Sequence, residues 1–181
     1  MQEKGTLVDS IEVCLRDKDG NIKSKHIINN GFWNRLLRKL GLKYNSMTNI
    51  GFAQTAAWLL KDIDADHLTY ANCDWIGIGT NNTAAGATDT NLLAQVSRLA
   101  GVGTREQTTV ANDTAQLVTT FSKANDAGLN GTMTIVEIAM FWASTGATAI
   151  LRQVYSPGDV CNWDAGDTLQ VTVKVQIKQG A

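Results

Sequence analysis

Proline occurs once in this chain, at Pro157, and histidine only twice, at His26 and His67. Neither histidine lies in a motif with a Ser or Cys nucleophile, and no GxSxG turn is present, so Ser/His/Asp hydrolysis has little to stand on. Cysteine is scarce too. Cys14, Cys73 and Cys161 are odd in number, far apart and without a CxxC pair, which argues against both a disulfide framework and a zinc site. At least two of them sit in strand-like or apolar contexts and read as small buried hydrophobes, in keeping with folding in a reducing cytoplasm. Charged residues make up only 18% of the chain against 44% hydrophobic, the reverse of a disordered composition. No apolar run approaches the length of a bilayer span, so no membrane span is expected. Met1–Gly5 is polar with no apolar segment behind it, and no signal peptide is expected.

What fills the space is Thr, Asn, Gly and Ala. Threonine's branched β-carbon favours strands, and Asn and Gly favour the tight turns between them. A length of 181 residues fits one domain able to bury its own core. The net charge of -1 hides an asymmetry. Residues 1–44 hold nine Lys/Arg and five Asp/Glu, a net of +4, and the remainder carries -5. The two parts are suited to different partners or to neighbouring copies of the chain.

Residues 7–28 read as a β-hairpin, with Ile11, Val13 and Leu15 alternating against Glu12, Cys14 and Arg16, and with Asp19-Gly20 at the turn. Residues 31–40 read as a basic amphipathic helix carrying Phe32, Trp33, Leu36, Leu37 and Leu40, capped by Asn30 and stopped at Gly41. Segment 45–73 is an insertion without a clear pattern, followed by a β-sandwich core over 74–181. In that core Trp75–Thr80 reads as a buried strand, a short helix is expected from Asp89 or Thr90 through Leu92, Leu93 and Val96, and residues 104–111 and 115–123 form a hairpin. Strands are expected over 132–143, 147–155 and 168–178. In the last, Leu169, Val171, Val173, Val175 and Ile177 face one side and Gln170, Thr172, Lys174, Gln176 and Lys178 the other, the period of a sheet with one wet face. The expected fold is therefore mainly β, an antiparallel β-sandwich or jelly-roll-like domain with one or two short helices.

Candidate chemistry is sparse. Gly77-Ile78-Gly79 lacks the third glycine of a dinucleotide fingerprint. Asp62-Ile63-Asp64-Ala65-Asp66-His67 opens like a calcium loop, but His67 stands where glycine is needed and Cys73 where the bidentate Glu belongs; a solvated acidic turn is the better reading. No metal and no cofactor are expected. Glu137 interrupts the apolar run Ile135–Phe141, and an inward carboxylate there needs Arg98 or Arg152 as a partner; a buried ion pair of Glu137 with Arg152 is preferred over a catalytic acid. Of the five tryptophans, Trp163 is placed in a loop and is the candidate for surface recognition.

Four segments resemble, in order, those of small bacteriophage virion proteins, the minor structural or tail- and head-associated kind. They are Ile27–Leu37, Trp75–Thr80 with the loop to Leu92, Gly131–Phe141 and Ala165–Val173. The resemblance spans residues 22–178; the first hairpin and the insertion around 43–73 depart from it. It implies a non-enzymatic structural protein of the virion, made in the host bacterial cytoplasm, that forms homo-oligomers and contacts other virion proteins in tail, neck or head. The alternatives are a receptor- or glycan-binding tail module meeting a host-surface glycan through Trp163 and the loops 81–88 and 156–167, and a small cell-wall hydrolase built on Glu137 or the Asp cluster at 62–66. Nucleic-acid contact through the basic helix is the weakest reading.

Overall fold

A computed structural model describes residues 6–29, 46–47, 73–107, 114–146 and 148–178. The expected helix at 31–40 and the Asp62–His67 turn lie outside these residues, as does all of the 45–73 insertion except 46–47 and Cys73.

Among the described residues ten strands make two antiparallel five-stranded sheets. β1 (Thr6–Arg16) and β2 (Ile22–Asn29) form the first hairpin, and β3 is the two-residue Ser46–Met47. β4 (Trp75–Gly79), β5 (Gln95–Ala100), β6 (Val102–Glu106) and β7 (Thr114–Phe121) follow, then β8 (Thr132–Phe141), β9 (Leu151–Asn162) and β10 (Thr168–Lys178). Sheet A runs β2-β1-β10-β7-β6 and sheet B runs β3-β9-β8-β4-β5. The fold is mainly β and sandwich-like, as the composition predicts. β1 pairs with β10 along its whole length, from Thr6 opposite Lys178 to Arg16 opposite Thr168, so the first hairpin is part of the sandwich.

Period-two patterning decides what lies between the sheets. Ile11, Val13 and Leu15 of β1, Leu117 and Phe121 of β7, and Leu169, Val171 and Val173 of β10 point from sheet A into the core. Ile76, Ile78, Ile135, Ile138, Leu151 and Tyr155 meet them from sheet B. Each such side chain contributes about 1.5–3 kcal/mol by leaving water. One end is plugged by the loop 122–130, where Leu129 is fully buried and Asp126 Oδ2 accepts from the buried Ser97 hydroxyl at 2.6 Å. At one edge a single residue, Gly101, carries the chain from β5 in sheet B to β6 in sheet A. A β-carbon there would lie 2.7 Å from Thr119 Oγ1 and 2.8 Å from Leu117 Cδ1, so the corner closes only around glycine.

Two local expectations are overturned. No helix forms near Asp89: residues 80–94 run as a loop, and Val96 belongs to β5. The N–H groups of Leu93 and Ala94 donate to a carboxylate on the neighbouring β8, and Leu92 is drawn into a second apolar cluster, so tertiary contacts override the local spacing. The strand expected over 147–155 begins at Leu151 and runs on to Asn162, taking in much of the region expected as a loop. Pairing with β8 is interrupted between Ile135 and Glu137 and resumes at Asp159, and the chain's single proline sits in the bulge so formed, where its missing N–H costs no ladder bond.

Candidate functional site

Strands β4, β8 and β9 each turn alternate residues to the outer face of sheet B. On β4 these are Trp75, Gly77 and Gly79; on β8, Glu137, Ala139 and Phe141; on β9, Arg152. The loop 80–94 crosses this face as a strap. Leu92, Ala139, Phe141 and Ala149 form the small apolar cluster beneath it, with Trp75, Trp142 and Ala143 half-buried around it.

Glu137 and Arg152 are both fully buried and pair at 2.8 Å between Oε2 and Nη2, with a second bond of 3.0 Å from Nε. This two-bond fork suits a planar guanidinium against a carboxylate. The remaining lone pairs of Glu137 accept three backbone N–H groups of the strap: Ala94 at 2.8 Å, Leu93 at 3.2 Å and Asn81 at 3.3 Å. Arg152 extends the network outward. Nη1 donates to Asp89 Oδ2 at 2.9 Å and Nη2 to the Thr83 carbonyl at 3.1 Å, while Asp89 Oδ2 also accepts the Gly86 N–H at 2.7 Å. The carboxylate thus receives five donors and the guanidinium reaches two carboxylates and a carbonyl. The network clamps a loop to a sheet, and Glu137 has no lone pair left facing an open cleft from which to act as an acid or base.

The glycines of Gly77-Ile78-Gly79 have their explanation here. A β-carbon on Gly79 would collide with Glu137 Oε1 and lie 2.5 Å from the Ala94 carbonyl. One on Gly77 would lie 2.9 Å from both Leu92 Cδ1 and Phe141 Cε2. The bare backbone of β4 gives the carboxylate and the ring a floor on which to lie. Arg98, the other candidate partner for Glu137, instead stacks its guanidinium 3.3 Å from the Phe141 ring centroid.

Trp163 does not lie on the surface. It starts a one-turn 3-10 helix, Trp163–Ala165, whose N-cap Asn162 accepts from the Ala165 N–H and whose C-cap Gly166 has φ 85°. The indole is 1% exposed and belongs to the main core. The polar run Asn162-Trp163-Asp164-Ala165-Gly166-Asp167 had signalled a loop; its polar members make the caps and the turn, and the indole they surround points inward. Among the described residues Trp75 and Trp142 are the half-exposed tryptophans.

A second polar group, which sequence spacing does not reveal, bridges the sheets at the β2–β9 edge. Asp159 is buried and accepts the Tyr155 hydroxyl at 3.0 Å; the Ser24 hydroxyl donates to it as well, and His26 Nε2 lies 3.3 Å away. Ser24 donates to the aspartate and not to the histidine, so the three do not form a nucleophile–base–orienter chain. Burial, reinforced by the Asp159 charge, pushes the Cys161 thiol up to about 12 and the Tyr155 phenol further above its usual range. Both stay protonated and unreactive at neutral pH. Beside them Lys23 pairs with the buried Asp167 at 2.6 Å. Among the described residues no group of three or more His, Cys, Asp or Glu is placed to hold a metal ion, and no helix is long and apolar enough to cross a membrane. No protein-family model matches the chain, and neither do any of the curated proteins or solved structures compared with it.

Proposed function

We propose that this chain is a non-enzymatic structural subunit of a bacteriophage particle, assembling with copies of itself and with other particle proteins in tail, neck or head. The observation that carries the reading is the fate of Glu137. The strongest candidate for a catalytic acid is consumed by five donors that fix a loop to a sheet, so this fully buried charge is used to hold shape. The resemblance of the four ordered segments supplies the particle context.

The outer face of sheet A supports the same reading. Register aligns Ile27, Glu12, Thr172, Val118 and Val102 in one row across all five strands. The row is polar or half-buried at its centre and ends in two exposed apolar residues, Ile27 at 58% and Val102 at 70%. Such a row, with exposed apolar ends, suits wet subunit contacts. Cryo-EM or antibody-gold labelling of purified particles is the test. Label at ordered positions supports the reading and locates the subunit. Absence from particles, together with a monomer at high concentration by native mass spectrometry, overturns it.

A further inference from the structure

A binding constellation stands on the outer face of sheet B, apart from any role in a particle and independent of it. Because Gly77 has no side chain, the Phe141 ring lies over β4, and the Arg98 guanidinium stacks on that ring. So held, Arg98 donates from Nε and Nη2 to Gln95 Oε1 at 3.2 and 2.7 Å, from Nη2 to Asn91 Oδ1 at 3.1 Å, and from Nη1 to the Ala143 carbonyl at 3.2 Å. Asn91 Oδ1 also accepts the Leu92 N–H at 2.9 Å. With both amide oxygens bonded to the guanidinium, the exposed Asn91 and Gln95 keep their NH2 groups as donors for a ligand.

Among the described residues Arg98, like Arg16, Arg105 and Lys174, is in no ion pair with a carboxylate, and its guanidinium is also stacked on a ring. Arg152 pairs with two carboxylates, and Lys18, Lys23, Lys25 and Lys123 with one each. Among the described residues Arg98 meets only neutral oxygens and an aromatic face, and partial burial lowers its pKa for want of a compensating anion. Beside it lies Trp75, opposite Phe141 in the register and half-exposed. An indole offers an apolar face to the C–H side of a sugar ring, amides match its hydroxyl and ring oxygens, and a guanidinium without an anion attracts a carboxylate to its one remaining Nη1 N–H.

We propose that this face binds a carboxylate-bearing saccharide, with Arg98, Asn91 and Gln95 as its polar contacts and Trp75 as its apolar platform. The test is titration of the full chain with tetragalacturonate, sialyllactose and neutral maltotetraose, followed by tryptophan fluorescence and by chemical-shift changes of the indole and carboxamide N–H groups. The expected result is saturable binding of at least one acidic saccharide and none of maltotetraose. Gln95→Ala and Asn91→Ala, both at exposed positions, each weaken that binding about tenfold, and Arg98→Gln weakens it more, the loss of a charge-assisted contact. Melting curves establish that each variant is folded before its affinity is read. No binding of either acidic saccharide, equal binding of maltotetraose, or acidic binding that survives the Gln95 and Asn91 substitutions in folded protein overturns the proposal.

Discussion

Replacing Glu137 with Gln removes one charge from the strap clamp and changes almost nothing in size. The wild-type carboxylate accepts five donors, two from Arg152 and three from the strap backbone. An amide can aim its oxygen at one group only. If the oxygen faces Arg152, the NH2 confronts the N–H groups of Ala94 and Asn81, which bond Oε1 in the wild type. Each buried donor left without an acceptor costs about 1–3 kcal/mol. Breaking a buried ion pair costs about 3–5 kcal/mol, but Asp89 remains 2.9 Å from Arg152 as a second anion, which places the expected loss near the lower end, about 3 kcal/mol. For a chain of this length that is a fall in Tm of about 6–12 °C. Urea unfolding followed by tryptophan fluorescence reads it directly, with an unchanged m-value. Removing both partners, as in Glu137→Leu with Arg152→Leu, does not restore wild-type stability, because the strap N–H groups stay orphaned. A loss below about 1 kcal/mol in the single variant, or full recovery in the double one, refutes the view that the carboxylate clamps the strap.

Three further outcomes follow from the packing. Gly79→Ala puts a methyl group into Glu137 and the Ala94 carbonyl and is expected to cost about 2–3 kcal/mol, against little effect for Gly103→Ala, where nothing lies within 4 Å; paired urea curves decide it. Trp163→Ala empties a core site and is expected to lose about 3–5 kcal/mol; a stable variant with normal unfolding would return the residue to the surface role first expected of it. Above about pH 9 stability is expected to fall by about 1 kcal/mol per pH unit towards pH 12 as the unfolded chain, but not the folded one, gives up the Cys161 proton. The sign follows from the raised folded pKa: the folded state binds more protons in that window, so rising pH favours unfolding. Cys161→Ala flattens that part of the profile, and the Tyr155 phenol, raised from an ordinary value near 10, contributes the remaining slope in the same direction.

The strands most legible in the sequence are those whose neighbours agree with their own patterning. β10 alternates without interruption and lies at the centre of sheet A, flanked by β1 and β7, so local and tertiary signals coincide. Where they conflict, the reading fails. Leu92, Leu93 and Val96 have helical spacing, yet Leu92 is claimed by the Phe141 cluster, Val96 packs against the main core, and the N–H groups between them are claimed by Glu137. The pairing of Glu137 with a basic residue was foreseeable, because a carboxylate in an apolar run needs one. That Arg152 also reaches Asp89 was not, since 63 residues separate the pair and only the strap's path brings them together. Trp163 misled because its polar neighbours read as a loop, and capping side chains around a single 3-10 turn look the same in sequence as solvated ones.

The two long edges of the sandwich close by different physics. At the β5–β6 edge the chain itself passes between sheets at Gly101, so separation there requires breaking the backbone geometry of a single residue. At the opposite edge the sheets are joined by side chains: Ser24, His26 and Tyr155 converge on Asp159, and Lys23 on Asp167. Polar contacts of this kind are directional and costly to leave half-made, so they fix the register of β2 against β9 more sharply than apolar packing would. Against that seam stands the position of β2 at the end of sheet A: local opening is expected to begin there, and amide exchange along Ile22–Asn29 should be faster than along β10, whose N–H groups are shielded by strands on both sides. Equal protection of the two strands would mean that the polar seam is as strong as the core it borders.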